Sequence, residues 1–485
     1  MKIACFADLH LTDNFNTVKL SVLRWALNEA KKRKVDMIAL LGDMTAVGTM
    51  RQSEKILSEI SAADIPFCST CGNAEYRHSS LDGAPRLFDI PPDDDSAIFM
   101  INTAGGTPNA ADLERLAALP SGAGKVLLTH TPPDQWQNNA RELLQQAQRR
   151  LAVTALLAGH THIDSDLTLR GLDPDKAAGA PPGFELLTGS AETFWQRETI
   201  TMPDIDPATW DKAARDRLHG LFGVCTMYKP AEVLREAAQL HIPHAELRCI
   251  QQFPDELPEI IASWRQAGGK TLSMHLAELN AADCPFLAES VSKAIEYRCD
   301  RVTLHVPRVI AAQFAEKKAA LLDNFDRFIT PLLAADISIG IENLHTTPEA
   351  RSDDTRNFGC NIAECRYWIE LLREKYHTDK IGFHCDIGHA RNNAPFSSVE
   401  NLSDYYCEMG KIINGWHFHQ VVQQSDGSFK NHRDLTGFFT KLITLGGFLM
   451  AHRIGQFGDA PIFLEVTTPN GGINSYRALT EILKI

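Results

Sequence analysis

Seven residues within the first 165 have the types and spacing needed to hold two divalent cations. Asp8-Leu-His10 closes the run KIACFADLH, Gly42-Asp43 closes DMIALLGD, and Gly72-Asn73 closes PFCSTCGN. His130 ends KVLLTH, and Gly159-His160-Thr161-His162 ends TALLAGHTH. Two adjacent divalent ions need a bridging carboxylate with imidazole and oxygen ligands on either side. Asp43 is the natural bridge. Asp8, His10 and His162 complete one ion, and Asn73, His130 and His160 the other. Ions about 3.5–4 Å apart can share a hydroxide and polarise a phosphoryl group together. Asp43, Asn73 and His130 are therefore read as catalytic as well as ligating.

A second set lies further along. His275 stands in LSMHL, His305 in TLHVP and Glu342 in IGIENL. Asp386 and His389 form D-x-x-H in HCDIGH, His417 lies in GWHFH, His432 in KNHRD and Glu465 in FLEV. Imidazole with carboxylate suits Zn, Mn, Fe or Co, and no thiolate is offered beside them. Arg248, Trp416 and His419 occupy neighbouring positions and are read as substrate contacts. Cys68-Ser-Thr-Cys71 is a CxxC, but it ends an apolar run and meets a turn, so core packing is expected rather than redox or zinc chemistry.

These residues need elements that converge on them. In residues 1–200 short apolar runs alternate with helical patterns such as VLRWALNEAKKRKV, which places Val22, Trp25, Ala26 and Ala30 on one face. The polar residues follow the strand ends, where ligands of open α/β sheets sit. Residues 201–218, with prolines and many charges, read as a linker. From 219 to 485 strand candidates from LFGVCTM to PIFLEVT are separated by helical segments, in eight β/α units. That length suits a (β/α)8 TIM barrel, whose active sites lie at the strand C-termini.

The first set resembles the calcineurin-like metallophosphoesterase family across residues 1–200. The resemblance implies an α/β fold, a β-sandwich with flanking helices, and the seven ligands as assigned above. One position departs from the family pattern. Its Asn is commonly followed by a His that assists the leaving group, and here Ala74 follows Asn73. Glu75, Arg77 and His78 are nearby candidates, with Arg77 and His78 read as substrate-binding. The second set resembles the xylose-isomerase-like TIM barrel superfamily, which includes sugar isomerases, epimerases and endonuclease IV. That resemblance implies a metal core of Glu342, Asp386, His417 and Glu465, with the two glutamates as paired acid and base. His275 and His305 match a further ion with Glu342, and His389 and His432 match part of a third. The last carboxylate of that third site falls at Lys430, whose ammonium should repel a cation and could instead bind an anion or act as a base.

Charge narrows the function. Residues 1–210 carry 19 basic against 27 acidic residues, and 211–485 carry 29 against 34, for a net charge of −13. Nucleic-acid binders usually show a basic patch or domain. Small phosphoester and carbohydrate substrates are the expected partners, a homo-oligomer stays open, and a membrane span is not expected because no apolar run approaches the needed length of about 18 residues. A start without a signal pattern, and 11 cysteines without framework spacing, point to the cytoplasm. Expected cofactors are two divalent metals in the first domain (manganese, iron or zinc) and one or two in the barrel (zinc or manganese), with a third opposed by Lys430. The favoured function is a bifunctional enzyme: a phosphodiester hydrolase coupled to a sugar or polyol isomerase, epimerase or lyase. The alternatives are a DNA-repair nuclease of the abasic-site type, and a chain in which one domain is a non-catalytic metal-bearing scaffold.

Overall fold

In a computed structural model the chain is described over residues 1–77, 84–92, 97–118, 126–150, 155–190, 195–248, 253–277, 285–346, 352–393, 401–426, 429–440 and 443–485. It divides into two units, Met1–Asp206 with Phe439–Met450, and Pro207–Phe438 with Ala451–Ile485.

The first unit holds eight strands: β1 (Lys2–Phe6), β2 (Met37–Leu41), β3 (Phe67–Thr70), β4 (Ile98–Ile101), β5 (Val126–Thr129), β6 (Ala155–Ala158), β7 (Gly183–Thr188) and β8 (Gln196–Thr201). They form a five-stranded sheet ordered β3-β2-β1-β7-β8 and a three-stranded sheet ordered β4-β5-β6. Both sheets feed one apolar core, with Ile3, Cys5, Ala39 and Leu41 from the first and Ile98, Met100, Val126 and Leu128 from the second. β1, β2 and β3 are parallel, as are β4, β5 and β6, so within each sheet their carboxyl ends share one edge. The ligand segments leave their strands at those edges.

Two of these strands have no counterpart in the sequence reading. β4 is one: IFMI is a short, fully buried run, and periodicity alone does not separate such a run from a buried helix. β8 is the other, because QRETIT pairs with β7 at a sheet edge and exposes most of its polar side chains. Residues 201–218, read as a linker, contain regular elements, and the two units part within them, between Asp206 and Pro207. They make two 3-10 turns and most of the helix Lys212–His219, and Ile205 and Trp210 are buried. Pro203 and Pro207 open those turns, since proline is favoured at a first helical position.

The second unit contains β9 (Phe222–Cys225), β10 (His244–Arg248), β11 (Thr271–His275), β12 (Arg301–His305), β13 (Ser338–Glu342), β14 (Ile381–Asp386), β15 (Ile413–Phe418), a hairpin of β16 (Gln420–Gln423) and β17 (Phe429–Arg433), and β18 (Ile462–Leu464). The eight strands other than the hairpin close into a parallel barrel. Its interior contains a charge: Arg301 is buried, and a Cβ at Gly340 or Gly415 would stand 2.3 or 2.5 Å from its Nη2. Glycine on two strands is what admits the guanidinium. Among the described residues no helix is long and apolar enough to cross a membrane.

Candidate metal centres

The N-terminal ligands are aimed by backbone turns that most residues avoid. Asp8, His10, Asp43, His160 and His162 all have positive φ, between 50° and 74°. Such conformations cost about 1–3 kcal/mol each away from glycine and concentrate at functional sites. Here they fold the chain back at strand ends, so that Asp8 with His10, and His160 with His162, turn into one space. Glycines clear that space. A Cβ at Gly72 would meet Asp43 Oδ1 at 2.3 Å, and one at Gly159 would meet Asp8 Oδ2 at 2.9 Å.

The result is two rings that share an edge. In one, Asp8, His10 and His162 bring ligand atoms within 4.8 Å of one another, and in the other Asp43, His130 and His160 do so. His10 Nε2 faces His162 Nε2 at 3.4 Å and Asp43 Oδ2 at 3.8 Å. His130 Nε2 lies 3.5 Å from Asp43 Oδ1, 3.2 Å from Asn73 Oδ1 and 3.2 Å from His160 Nδ1. His130 Nδ1 is 2.9 Å from Leu41 O, so it carries a proton and donates, which makes Nε2 the atom that would take a cation once its own proton leaves. Ring nitrogens facing each other and facing carboxylates, in a buried cradle, fit a pair of divalent ions.

Glu75 proves not to be a proton donor to the site. It is buried and accepts from the backbone N–H groups of Asp43, Thr45 and Gly72 at 2.8–2.9 Å and from Thr45 Oγ1 at 3.0 Å. It pins the Asp43 loop to the Asn73 loop. Ala74 is buried too, and its N–H donates to Asp43 Oδ1 at 2.7 Å. Arg77 is exposed, with Nη1 3.4 Å from Ala46 O, and His78 lies outside the described residues. Cys68 and Cys71 are buried free thiols, and burial pushes Cys68 up to about 12, so they pack and do not ligate.

Protonation of the ring sets a pH dependence. Burial raises the Asp8 carboxyl to about 7 against the pull of His130. Burial works to lower His130, but the adjacent Asp43 raises it to about 9. Burial also raises the Asp43 carboxyl, and His130 more than reverses this, to about 2. Burial and the Lys176 charge hold His10 and His162 well below their ordinary value, hence neutral. A metal therefore displaces protons from Asp8 and His130. Affinity should rise with pH with a slope of about two below pH 7, about one between 7 and 9, and level off above. Chelator competition across that range measures it, and a flat profile would contradict this protonation pattern.

In the barrel, Glu342 at the end of β13 is the hub. Its Oε2 lies 3.3 Å from His275 Nε2 and 3.0 Å from His305 Nε2. Its Oε1 lies 3.1 Å from His417 Nδ1 and 3.6 Å from His389 Nδ1. The groups that result among the described residues include His275–Glu342–His417, His305–Glu342–His389, and Asp386–His419–His432–Glu465. Buried Asp386 Oδ2 and both ring nitrogens of His419 have no hydrogen-bond partner among the described residues. Orphaned donors and acceptors of these types are costly unless a cation joins them. The donor set suits a divalent metal.

Several assignments change here. His419, read as a substrate contact, is fully buried inside the third group, against Gly388, where a Cβ would stand 1.9 Å from its Nε2. His417 reaches Glu342 and Glu465 with Nδ1, at 3.1 and 3.3 Å, while its Nε2 is held by Glu246 at 2.6 Å. Trp416 does not face the mouth. It packs on Tyr406, Phe418 and Phe457, on the other face of β15 from His417, as the two-residue period requires. Lys430 is exposed on β17 and makes no ion pair among the described residues, so its catalytic role is withdrawn. His432 turns away from it through a φ of 54° and meets Glu465 Oε2 at 3.3 Å. Arg248 is not a free substrate contact either, because its Nη1 pairs with Glu465 Oε1. Glu246 was missed. It is buried and also accepts from Ser273 Oγ at 2.7 Å and Thr303 Oγ1 at 2.6 Å, near Arg301 at 3.7 Å. The signal was a lone acidic residue inside the strand HAELR.

Residues 1–172 match the family model described as calcineurin-like phosphoesterase superfamily domain, so the N-terminal part carries a domain of that family. No curated protein sequence matches the chain. Among solved structures it is similar to a D-tagatose 3-epimerase-like protein, at 18% identity over 54% of this chain and 97% of that one, with a TM-score of 0.38. It is similar to endonuclease IV from Thermus thermophilus, at 15% identity over 54% and 98%, with a TM-score of 0.36. A dimetal phosphatase from Danio rerio is similar at 14% identity over 41% and 98%, with a TM-score of 0.30. Likeness of chain path at this level does not carry chemistry with it.

Proposed function

We propose that the chain is a two-centre metalloenzyme whose N-terminal domain hydrolyses a phosphodiester of a sugar, polyol or nucleoside. The observation that carries this reading is the pair of cation-ready rings joined at Asp43, whose two oxygens face His130 at 3.5 Å and His10 at 3.8 Å. A metal pair there supplies Lewis-acid activation of the phosphoryl group. The chain's own residues hold it: Glu75 fixes the two loops, Asn73 and His130 present their lone pairs, and Ala74 N–H orients the bridge. No imidazole follows Asn73, so leaving groups that depart without a proton should be favoured. The barrel is read as an isomerase, epimerase or lyase centre acting on the released carbohydrate. Glu342 and Glu465 both stand against His417, at 3.1 and 3.3 Å, as an acid–base pair around one cation would require.

Bis-aryl phosphate and aryl monophosphate, offered to the intact chain loaded with Mn, Zn or Fe, test the first activity. Diester turnover exceeding monoester turnover is expected. No turnover with any metal at full occupancy would sink the hydrolase reading.

A second reading has one observation in its favour: the barrel brings together three ligand groups, as a multinuclear phosphodiester centre acting on nucleic acid would need. The net charge of −13 opposes it. Nucleic-acid binding falls steeply with salt as counterions are released, and turnover that ignores salt would remove this reading.

A further inference from the structure

A lysine lies fully buried behind the N-terminal metal ring. Lys19 is in the first turn of the helix Thr17–Lys32, where its N–H donates to Asn16 Oδ1 at 3.2 Å. Its ammonium reaches two acceptors, Asp173 Oδ2 at 2.8 Å and the carbonyl oxygen of His10 at 3.1 Å. Asp173 is fully buried as well. Taking two charges out of water is expensive, and a buried ion pair often stabilises a fold no better than neutral groups of similar volume. What this pair touches points to another use.

His10 is held at both ends of its backbone. Its N–H donates to Asp43 O at 3.0 Å, and its carbonyl accepts from Lys19. Between these holds it takes a φ of 50°, which aims its ring. On the other side of the pair, Asp173 opens a turn. Its Oδ1 accepts from Asp175 N–H at 2.9 Å, and its backbone oxygen accepts from the N–H groups of Lys176 and Ala177 at 3.2 and 2.9 Å. Both ends of that turn are tied to the other ligands of the same ring. Before it, Leu172 N–H donates to Ala7 O at 2.9 Å, and a Cβ on Gly171 would stand 2.7 Å from Asp8 Cβ. After it, Ala178 N–H donates to His162 O at 3.1 Å. One ion pair and one short turn therefore join the backbone of His10 to the backbone of His162.

The two rings so joined face each other, with their Nε2 atoms 3.4 Å apart. Nitrogens about 2.0–2.1 Å from one tetrahedral zinc ion would stand about 3.3–3.4 Å apart. The spacing is that of two ligands to one cation. The pair sets it without adding net charge: a lone ammonium in this buried place would repel a divalent ion, and Asp173 cancels it. We propose that Lys19 and Asp173 are positioning residues, whose ion pair holds the backbone reversals at His10 and His162 so that both rings meet one cation. This rests on the metal-centre reading of the N-terminal ring, and it adds two residues that act through the ligands' backbone atoms.

The test uses the intact chain and zinc, titrated against a chromophoric chelator. Asp8→Asn identifies the binding event that belongs to this ring, and Glu342→Gln identifies one that belongs to the barrel. The pair is then replaced together, as Lys19→Met with Asp173→Asn. Neutral replaces neutral, so a change of affinity reports position and not charge, and the thermal midpoint should stay near that of wild type. The ring's event is expected to weaken about 10–100-fold, as loss of an outer partner of a ligand does, while the barrel's event keeps its affinity. A merely structural role would move the thermal midpoint, or both events alike. Lys19→Leu with Asp173→Asn takes the place of the methionine pair should that one not fold. Wild-type affinity for the ring's event in a folded neutral pair overturns the proposal, and so does an equal loss at the barrel. If Asp8→Asn removes an event that the neutral pair keeps, only the positioning assignment fails. If Asp8→Asn leaves every zinc event unchanged, the metal reading of the ring fails and takes this one with it.

Discussion

Asparagine in place of Asp43 is expected to abolish phosphodiester hydrolysis by the N-terminal domain and to cut its metal content. The two oxygens of Asp43 face rings of two different ligand sets, His130 and His10. An amide is neutral, and it replaces one acceptor oxygen with a donor whose hydrogens would point at a cation. The bridge then becomes a ligand to one ion at most. Lewis-acid activation is worth several kcal/mol, and each 1.36 kcal/mol is tenfold in rate, so a loss of at least about 10³-fold is expected. The fold should tolerate the change, because asparagine is isosteric and the Ala74 N–H can still donate to the remaining oxygen. Turnover of bis-aryl phosphate and metal content by mass spectrometry, measured on the same preparation, decide it. Unchanged turnover at unchanged metal content would remove Asp43 from the centre.

The ligand residues were legible because they close apolar runs, and the carboxyl ends of parallel strands are where such folds gather chemistry. Asp8, Asp43, His130 and His160 fall into place on that rule alone. Three kinds of feature were hidden for physical reasons. Backbone reversals were the first. The left-handed conformations at His162 and His432 decide where those rings point, and no residue pattern announces them. The same reversal separates His432 from Lys430, which a plain two-residue alternation would place on one face. Parity was the second. His417 and His419 both face inward from β15 and the residue after it, so the sequence could not tell which ring joins Asp386, while Trp416 was displaced from the mouth by the same alternation. Convergence from distant segments was the third. Glu75, which the sequence offered only as a proton-donor candidate, gathers donors from Asp43, Thr45 and Gly72, and Glu246, one acidic letter in an unremarked strand, gathers Ser273, Thr303 and His417.

Glutamine in place of Glu342 should empty the barrel centre while leaving phosphodiester hydrolysis intact. Glu342 is fully buried, and its oxygens meet His275, His305, His417 and His389 within 3.6 Å. Burial would raise its carboxyl, but His305 and His417 hold it well below the usual carboxylate range, so it is an anion among imidazoles. At least two ligand groups contain it. Its loss therefore exceeds the about 10–100-fold in metal affinity that removal of an outer hydrogen-bonding partner costs. The variant should still fold. His275 donates through Nδ1 to Leu276 O at 2.9 Å, which leaves its Nε2 able to accept from the new amide. The group Asp386–His419–His432–Glu465 has its own carboxylates, and some residual occupancy is expected there. Metal analysis of the single variants and of Asp43→Asn with Glu342→Gln combined gives the decisive comparison. Independent centres predict that the metal losses add and that Glu342→Gln hydrolyses aryl diester within about twofold of wild type, as sites without shared partners do. A parallel fall in diester turnover would mean that the barrel's ions take part in the hydrolysis, and the two-centre reading would give way to a single shared reaction.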